Sequence, residues 1–395
     1  MSSSDAPALG VGDERVVQAG TVAHGGHVIA HSDGRTLFVR HALPGETVRV
    51  VVTEVNKRIV RADAVEILTP SPGRVPAPCS WSRPGGCGGC DFQHATLATQ
   101  RALKSTVLAD SLTRFGRTGE SFSDIAVEEL PDAPDGLGWR TRMRWGVTSQ
   151  GRLGLRAHRR HRIVPVDTCL IAADGLDVGD LGPPPPGAHE LVVGVGSDGR
   201  VARGAERARQ EVGGREWRVA AGSFWQVHPA LAATLQDVVV ELGTPRAGQT
   251  WWDLYCGAGL LSAALADAVT DAGRVEAVEL SHDGIREARR ALHDLPQVRL
   301  HTDDVAAWLT RRPATGAPDG VVLDPPRAGA GADVVAAIAS ANVPLVVYVA
   351  CDPVALGRDV ALFGERGYRL DTVRAFDAFP MTHHFETVAR LVREG

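Results

Sequence analysis

From about Ser223 to the C-terminus the chain alternates between short strand-like runs and longer helical stretches. The runs fall at 250–254, 274–279, 298–301, 319–323 and 343–349, and the last two are apolar almost throughout. A run such as Val343 to Val349 is the pattern of a buried strand. Strands separated by helices build βαβ units and a mainly parallel sheet. This half is therefore expected to be a doubly wound, Rossmann-like α/β domain over 221–395. Few other architectures accept that alternation.

The N-terminal half has a different texture. Short strand-like runs from Glu14 to Leu68 are broken by Gly25-Gly26, Asp33-Gly34 and Pro44-Gly45. Close strands with such turns predict a small antiparallel β-barrel over 12–70. Residues 1–11 are small and polar, which predicts disorder. Pro70 to Pro78 reads as a linker, 95–115 as an amphipathic helix, and 139–220 as mostly strands, with an exposed loop at Pro183 to Pro186. A mainly β central domain over 71–220 follows.

Composition excludes several classes. No apolar run approaches a membrane span, and Met1-Ser2-Ser3-Ser4-Asp5 lacks the regions of a secretory signal, so a cytoplasmic location is expected. Net charge is −5, so any nucleic-acid surface must be local. With six cysteines in 395 residues, metal binding or catalysis is the expected use of the thiols rather than a disulfide scaffold.

Five constellations carry chemistry. Cys79, the pair Cys87-Gly88-Gly89-Cys90, and Cys169 offer four thiolates, which suit Zn²⁺ or an iron–sulfur cluster. Spacing does not separate the two. The turn Asp253-Leu254-Tyr255-Cys256-Gly257-Ala258-Gly259 follows a strand and allows close approach of backbone to a ligand. Glu279 ends the next strand and suits a ribose diol; Asp303 or Asp304 after the third could face an adenine edge. An adenosine cofactor is implied, either a dinucleotide or S-adenosylmethionine. The prolines of Asp324-Pro325-Pro326-Arg327 fix where Asp324 points. Eight arginines lie from Arg140 to Arg162 with no acid between them, flanked early by Trp139 and Trp145. Strand alternation would put Arg140, Arg142 and Arg144 on one face, suited to single-stranded RNA. Finally, Cys351 stands at a strand end and Glu386 lies downstream. A thiolate can add to C6 of a pyrimidine and make C5 nucleophilic, and a carboxylate can then remove the C5 proton.

Together these motifs resemble the RNA 5-methyluridine (uracil-C5) methyltransferase family over nearly the whole chain. The resemblance implies a C-terminal class I methyltransferase domain and an N-terminal barrel of the TRAM type, related to oligonucleotide-binding folds. It implies S-adenosylmethionine as methyl donor. Gln226 in Ser223-Phe224-Trp225-Gln226-Val227, Tyr255, Gly257, Gly259, Glu279, Asp304 and Asp324 would contact the donor. Cys351 would be the nucleophile, Glu386 the base, and Asp324 and Arg327 would hold the uracil. Cys79, Cys87, Cys90 and Cys169 would hold a [4Fe-4S] cluster, with zinc as the alternative. Barrel and cluster cysteines together resemble the branch acting on 23S ribosomal RNA, so that RNA is the expected partner of a monomeric enzyme. A transfer-RNA methyltransferase, or an RNA-binding ribosome-assembly factor with dispensable methylation, are the alternatives. Two positions depart from the family pattern: Leu260 and His228 stand where asparagines are common.

Overall fold

The structure is a computed structural model that describes residues 9–119, 122, 124–311 and 317–394. Disorder is expected over residues 1–11; residues 1–8 lie outside the described residues, and at Leu9 the structure corrects the expectation. Leu9, the first described residue, is buried in the barrel core. Among the described residues no helix is long and apolar enough to cross a membrane.

The N-terminal strands are β1 (Glu14–Gln18), β2 (Val22–Ala23), β3 (His27–Ser32), β4 (Arg35–Arg40), β5 (Thr47–Val55) and β6 (Val60–Thr69). They pair in the order β1-β5-β6-β4-β3-β2. The linker between β1 and β2 bonds to β3 through Gly20 N to Ile29 O and Ile29 N to Thr21 O. That contact brings the two sheet edges together and curls the sheet into a small barrel. In-facing Val48, Val50 and Val52 alternate with outward neighbours along β5, which is why one face can close on a core of Val, Leu and Ala.

Next come α1 (Leu97–Gly116) and the two-residue strand β7 (Val127–Glu128). Thr96 caps α1 by accepting from Thr99 N. A five-stranded antiparallel sheet follows, built from β8 (Arg142–Val147), β9 (Leu153–Arg156), β10 (Ile163–Pro165), β11 (Glu190–Val195) and β12 (Val201–Arg203), with the short helix α2 (Val178–Leu181) between β10 and β11. The hairpin β13 (Arg207–Val212) and β14 (Arg215–Ala220) completes this part.

The C-terminal half runs α3 (Leu231–Gly243), β15 (Thr250–Leu254), α4 (Leu260–Val269), β16 (Arg274–Glu279), α5 (His282–Ala291), β17 (Val298–Thr302) and α6 (Val305–Arg311). It continues with β18 (Gly320–Leu323), α7 (Gly331–Ser340), β19 (Leu345–Ala350), α8 (Pro353–Gly364), β20 (Tyr368–Phe376) and β21 (Glu386–Arg393). The sheet order is β17-β16-β15-β18-β19-β21-β20-β7. The first five strands are parallel, and β21 inserts antiparallel between β19 and β20. All five expected strands are present. Strand order reverses direction beside β15, which is the switch point where such sheets bind ligands at their carboxyl ends.

Both faces of this sheet are covered, as the apolar runs require. One face packs on α3 and α4; the other packs on α1, α7 and α8. Helix α1 and strand β7 come early in sequence yet join this half, α1 against α8 and β7 alongside β20. A buried ion pair fastens the arrangement. Lys104 of α1, fully buried, donates to Asp377 Oδ1 at 2.5 Å and to the Phe379 carbonyl at 3.1 Å.

Candidate active site

The strand ends gather the motif residues. Leu254 pairs with Leu323, and Leu323 pairs with Tyr348, in parallel register. Tyr255, Asp324 and the segment leading to Cys351 therefore leave the sheet side by side. On the antiparallel side Ala350 pairs with Thr387. One step beyond that pair stand Cys351 and Glu386. The register alone makes them neighbours, although 34 residues of helix, strand and loop separate them in sequence.

Burial shapes the chemistry of this group. Glu386 is buried, and desolvation raises its pKa well above the ordinary carboxylate range, with Asp324 adding to the rise and Arg327 opposing it. Asp324 is raised as well, by burial and then by Asp253. Burial and the Glu386 carboxyl push the Cys351 thiol up to about 12, while Arg327 pulls it down. These mutual effects place Cys351, Glu386, Asp324 and Arg327 within one electrostatic neighbourhood. A second positive charge entering there would favour thiolate and carboxylate together.

Two anchors hold Cys351 and the Asp-Pro-Pro-Arg loop in register. Asp352, directly after Cys351, caps α8 by accepting from Val354 N at 3.0 Å and Ala355 N at 2.8 Å. Asp359, further along α8 and buried, accepts from Ala330 N at 2.7 Å and from the Tyr348 hydroxyl at 2.6 Å. Tyr348 lies on β19 three residues before Cys351. Asp359 thus ties the loop after Arg327 to the strand that ends in Cys351. A Cβ on Gly329, whose φ is +89°, would lie 2.6 Å from Asp359 Oδ2, so glycine is needed there. Sequence reasoning misses these supports, because an acid within a helix has no signature of its own.

The donor side is built on the turn after β15. Tyr255, Gly257 and Gly259 all have positive φ, at 66°, 54° and 81°. The turn folds back, and nothing lies within 4 Å of a Cβ built on Gly257. Glu279 accepts from Gly257 N at 3.1 Å and from Ser281 N at 2.6 Å. Asp304 accepts from Ala307 N and is exposed at the start of α6; Asp303 is engaged by Arg311. Gln226 is buried. A left-handed glycine turn, a strand-end acid and an exposed acid on successive strands fit an adenosyl group. Leu260 is buried as the first residue of α4, and His228 is buried against Trp139, its Nδ1 accepting from Ala230 N.

The four remaining motif thiols border a second place in the fold. Cys79, Cys87, Cys90 and Cys169 line one largely apolar cavity that shares no lining residue with the Cys351 group. Gly89 N donates to Cys87 Sγ at 3.3 Å, and Gln93 Nε2 to Cys90 Sγ at 3.2 Å. Burial raises the thiols of Cys87 and Cys90 and pushes Cys169 up to about 11. N–H groups aimed at sulfur suit thiolates, which a bound metal would create. As placed, no three His, Cys, Asp or Glu side chains among the described residues are disposed to hold a metal ion. The donor set, four thiols around one cavity, fits an iron–sulfur cluster or zinc by its chemistry.

The expected cationic face is corrected at its first triplet and its flanking tryptophans, while Arg152, Arg156, Arg159, Arg160 and Arg162 are exposed. Arg142 is buried, and its guanidinium donates to the carbonyls of Ala220, Ala221 and Ser223. It clamps the segment that leads into Gln226 rather than facing solvent. Arg144 is exposed but paired with Glu190. Trp139 and Trp145 are buried, so neither can stack on a base. The strand forms as its alternation implies, but the chain packed over Arg142 comes from Ala220 to Ser223, which no local pattern announces.

Comparison with known proteins places this geometry. Residues 316–394 match the family model described as tRNA (Uracil-5-)-methyltransferase, and residues 10–65 match the TRAM domain. The chain is 43% identical to an uncharacterized RNA methyltransferase of Streptomyces avermitilis, over 96% of this chain and 98% of that protein. It is 31% identical to the 23S rRNA (uracil(1939)-C(5))-methyltransferase RlmD of Chromohalobacter salexigens, over 99% of this chain and 90% of that one. In fold it is similar to the Pyrococcus abyssi tRNA (uracil-54, C5)-methyltransferase crystallised with S-adenosyl-L-homocysteine. That match has a TM-score of 0.70 and 21% identity over 95% of this chain and 99% of the other.

Asp253 gives a pH signature for the site. It is fully buried, accepts from Ser262 Oγ at 2.5 Å, and burial pushes it up to about 7. Its native pKa lies above its unfolded value of about 3.9. The native state therefore binds more protons than the unfolded state between those values, and this group's contribution to stability falls as pH rises from about 4 to 7. Buried histidines run the other way, with His27, His41 and His384 held near 3 and His94, His158 and His228 near 4 by desolvation. The readout is therefore a difference between variants. Melting temperatures of Asp253→Asn and wild type, compared across that window, should shift in favour of the variant as pH rises; parallel curves would refute the assignment.

Proposed function

The chain belongs to the RNA uracil-C5 methyltransferase family, and from that premise we propose that it moves the methyl group of S-adenosylmethionine to C5 of a uridine in 23S ribosomal RNA. The single observation that carries the mechanism is the β19–β21 register, which sets Cys351 beside Glu386 at the strand ends next to Asp324. The target uridine must leave its stack to reach that point.

The donor's sulfonium, when bound, supplies an electrophilic methyl and a positive charge. Gln226, the Tyr255–Gly259 turn, Glu279 and Asp304 hold and orient the donor, with Asp324 at its reactive end. With its thiol proton released to solvent, Cys351 Sγ forms a bond to C6 of the uracil, and the electrons of the C5–C6 double bond move toward C5 and O4. Arg327 and Asp324 hold the ring as that charge develops. C5 would take the methyl in line, the donor's sulfur–methyl bond breaking with its electron pair left on S-adenosylhomocysteine, and become tetrahedral. Glu386 then removes the C5 proton, the C6–Sγ bond breaks, and the C5–C6 double bond returns with the thiol free again. Burial suits Glu386 to this role, because a carboxylate with a raised pKa is the stronger base.

Cys79, Cys87, Cys90 and Cys169 would hold a [4Fe-4S] cluster with a structural role. It would fasten the 79–90 loop to the segment around Cys169 beside the β8–β12 sheet. Zinc is the other group the donors accept. Anaerobically purified protein is expected to contain iron and acid-labile sulfide in equal amounts and to lose both when Cys90 is replaced by serine. Stoichiometric zinc without sulfide would reject the cluster.

Transfer RNA is the second reading, favoured by the description of the family model matched at 316–394. Labelled methyl from S-adenosylmethionine, offered with unmodified ribosomal or transfer RNA, separates the two. Wild type should form labelled 5-methyluridine in ribosomal RNA, and Cys351→Ala should form none. Label confined to transfer RNA would keep the chemistry and replace the substrate. No label in either RNA, with RNA still bound, would favour an RNA-binding assembly factor.

A further inference from the structure

The turn between β2 and β3 leaves the barrel and ends at the nucleophile. Gly25 and Gly26 in Ala23-His24-Gly25-Gly26-His27 have φ of +91° and +75°. A Cβ on Gly26 would lie 2.9 Å from Asp91 Cβ and 3.1 Å from His383 Cβ, so the turn is pressed onto the loop that precedes Glu386. His24 projects from it, and its Nε2 lies 3.3 Å from Asp352 Oδ2. Asp352 follows Cys351 in the chain. The barrel therefore delivers a side chain to the edge of the catalytic group.

His24 does not stand alone. Its ring meets His383 edge-on, with centroids 5.9 Å apart. His383 Nδ1 lies 2.6 Å from Asp91 Oδ2. The His383 and His384 rings are 3.9 Å apart, and His384 Nε2 lies 3.4 Å from Arg327 Nη2. A row of nitrogen-bearing groups thus runs from the barrel to Arg327, touching Asp352, the residue after Cys351, at one end. Two of its imidazoles are each held by a carboxylate. Such a carboxylate fixes the ring's orientation, leaving the second ring nitrogen for another partner. The His24 side chain keeps 40% of its surface exposed, so it is open to one.

RNA binding needs such groups here. The chain carries a net charge of −5, and Arg142 and Arg144 are spent within the protein. When a base enters a pocket, its flanking phosphates remain at the rim. Cations at that rim position the backbone without reading sequence.

We propose that His24, held by Asp352, binds a backbone phosphate beside the flipped uridine, which makes the barrel part of the nucleotide site rather than a separate RNA handle. This rests on the reading of the protein as an RNA uridine methyltransferase. Asp352 serves two ends at once, capping α8 with Oδ1 and holding His24 with Oδ2. The contact would register the barrel and the nucleophile on the same nucleotide.

The test is equilibrium binding of unmodified ribosomal and transfer RNA with S-adenosylhomocysteine present, at one fixed pH. Salt would be varied from about 50 to 200 mM. Wild type, His24→Ala and His24→Lys would be compared. His24→Ala should weaken binding of the RNA that wild type prefers by about 3–10-fold at low salt. It should also lower the slope of log Kd against log salt by roughly 0.7–0.9, the counterion release of one phosphate. His24→Lys should restore both, and melting temperature should not change. An unchanged slope and affinity in His24→Ala would overturn the proposal. So would lost turnover with intact RNA binding, which would leave His24 only a support for Asp352. Binding needs no turnover, so failure of wild type to methylate any RNA would sink the functional reading and leave this slope readable.

Discussion

The antiparallel insertion of β21 between β19 and β20 is the constraint on which the site depends. A doubly wound parallel sheet brings strand ends from β15, β16, β18 and β19 to one edge, and each can offer one group there. None of those strands supplies Glu386. Only a strand running the other way starts where its neighbours end, so the first residue of β21 lands among their last residues. The Ala350–Thr387 pair makes Cys351 and Glu386 adjacent. A register slip of one residue would turn the β21 side chains to the opposite face of the sheet.

Holding that register takes more than ladder hydrogen bonds. The segment between β20 and β21 carries no regular structure, yet it must deliver Glu386 to within reach of a substrate carbon. It is fixed from α1: Lys104 holds Asp377 and the Phe379 carbonyl, and Gln100 Oε1 accepts from Met381 N at 2.8 Å. Breaking a buried ion pair by removing one partner costs about 3–5 kcal/mol. A helix cap contributes only about 1 kcal/mol. The stronger of these two restraints sits under the segment that leads to Glu386, on a helix that comes from far upstream in sequence. The same logic explains Asp359, which fastens the Arg327 loop to the Cys351 strand, and Arg142, which fastens the segment before Gln226.

Much of this is legible in the sequence, for physical reasons that particular residues make plain. The apolar runs at 319–323 and 343–349 have the pattern of buried strands, and Asp324 and Cys351 follow them directly. The glycine turn after Asp253 stands out because left-handed φ favours glycine. The four separated cysteines read as one donor set, and they do line one cavity. What stays hidden depends on long-range packing. Nothing local marks Leu97–Gly116 as a helix of the catalytic half, or Val127–Glu128 as the edge strand of its sheet. Arg140, Arg142 and Arg144 alternate as a strand should, but only the fold reveals that Ala220 to Ser223 covers Arg142. His24 lies more than 300 residues from Asp352, and two glycines in a hairpin do not disclose what the turn will touch.

The central claim is that Cys351 attacks the uracil and Glu386 releases it. The most direct measurement is denaturing mass spectrometry of Glu386→Gln after incubation with S-adenosylmethionine and unmodified RNA. With the base removed, the C5 proton cannot leave and the methylated nucleotide should stay bonded to the protein. The account predicts a protein–RNA adduct that maps to Cys351 after digestion and disappears in the Cys351→Ala, Glu386→Gln double variant. Full turnover by Glu386→Gln with no adduct, or an adduct on another residue, would contradict it.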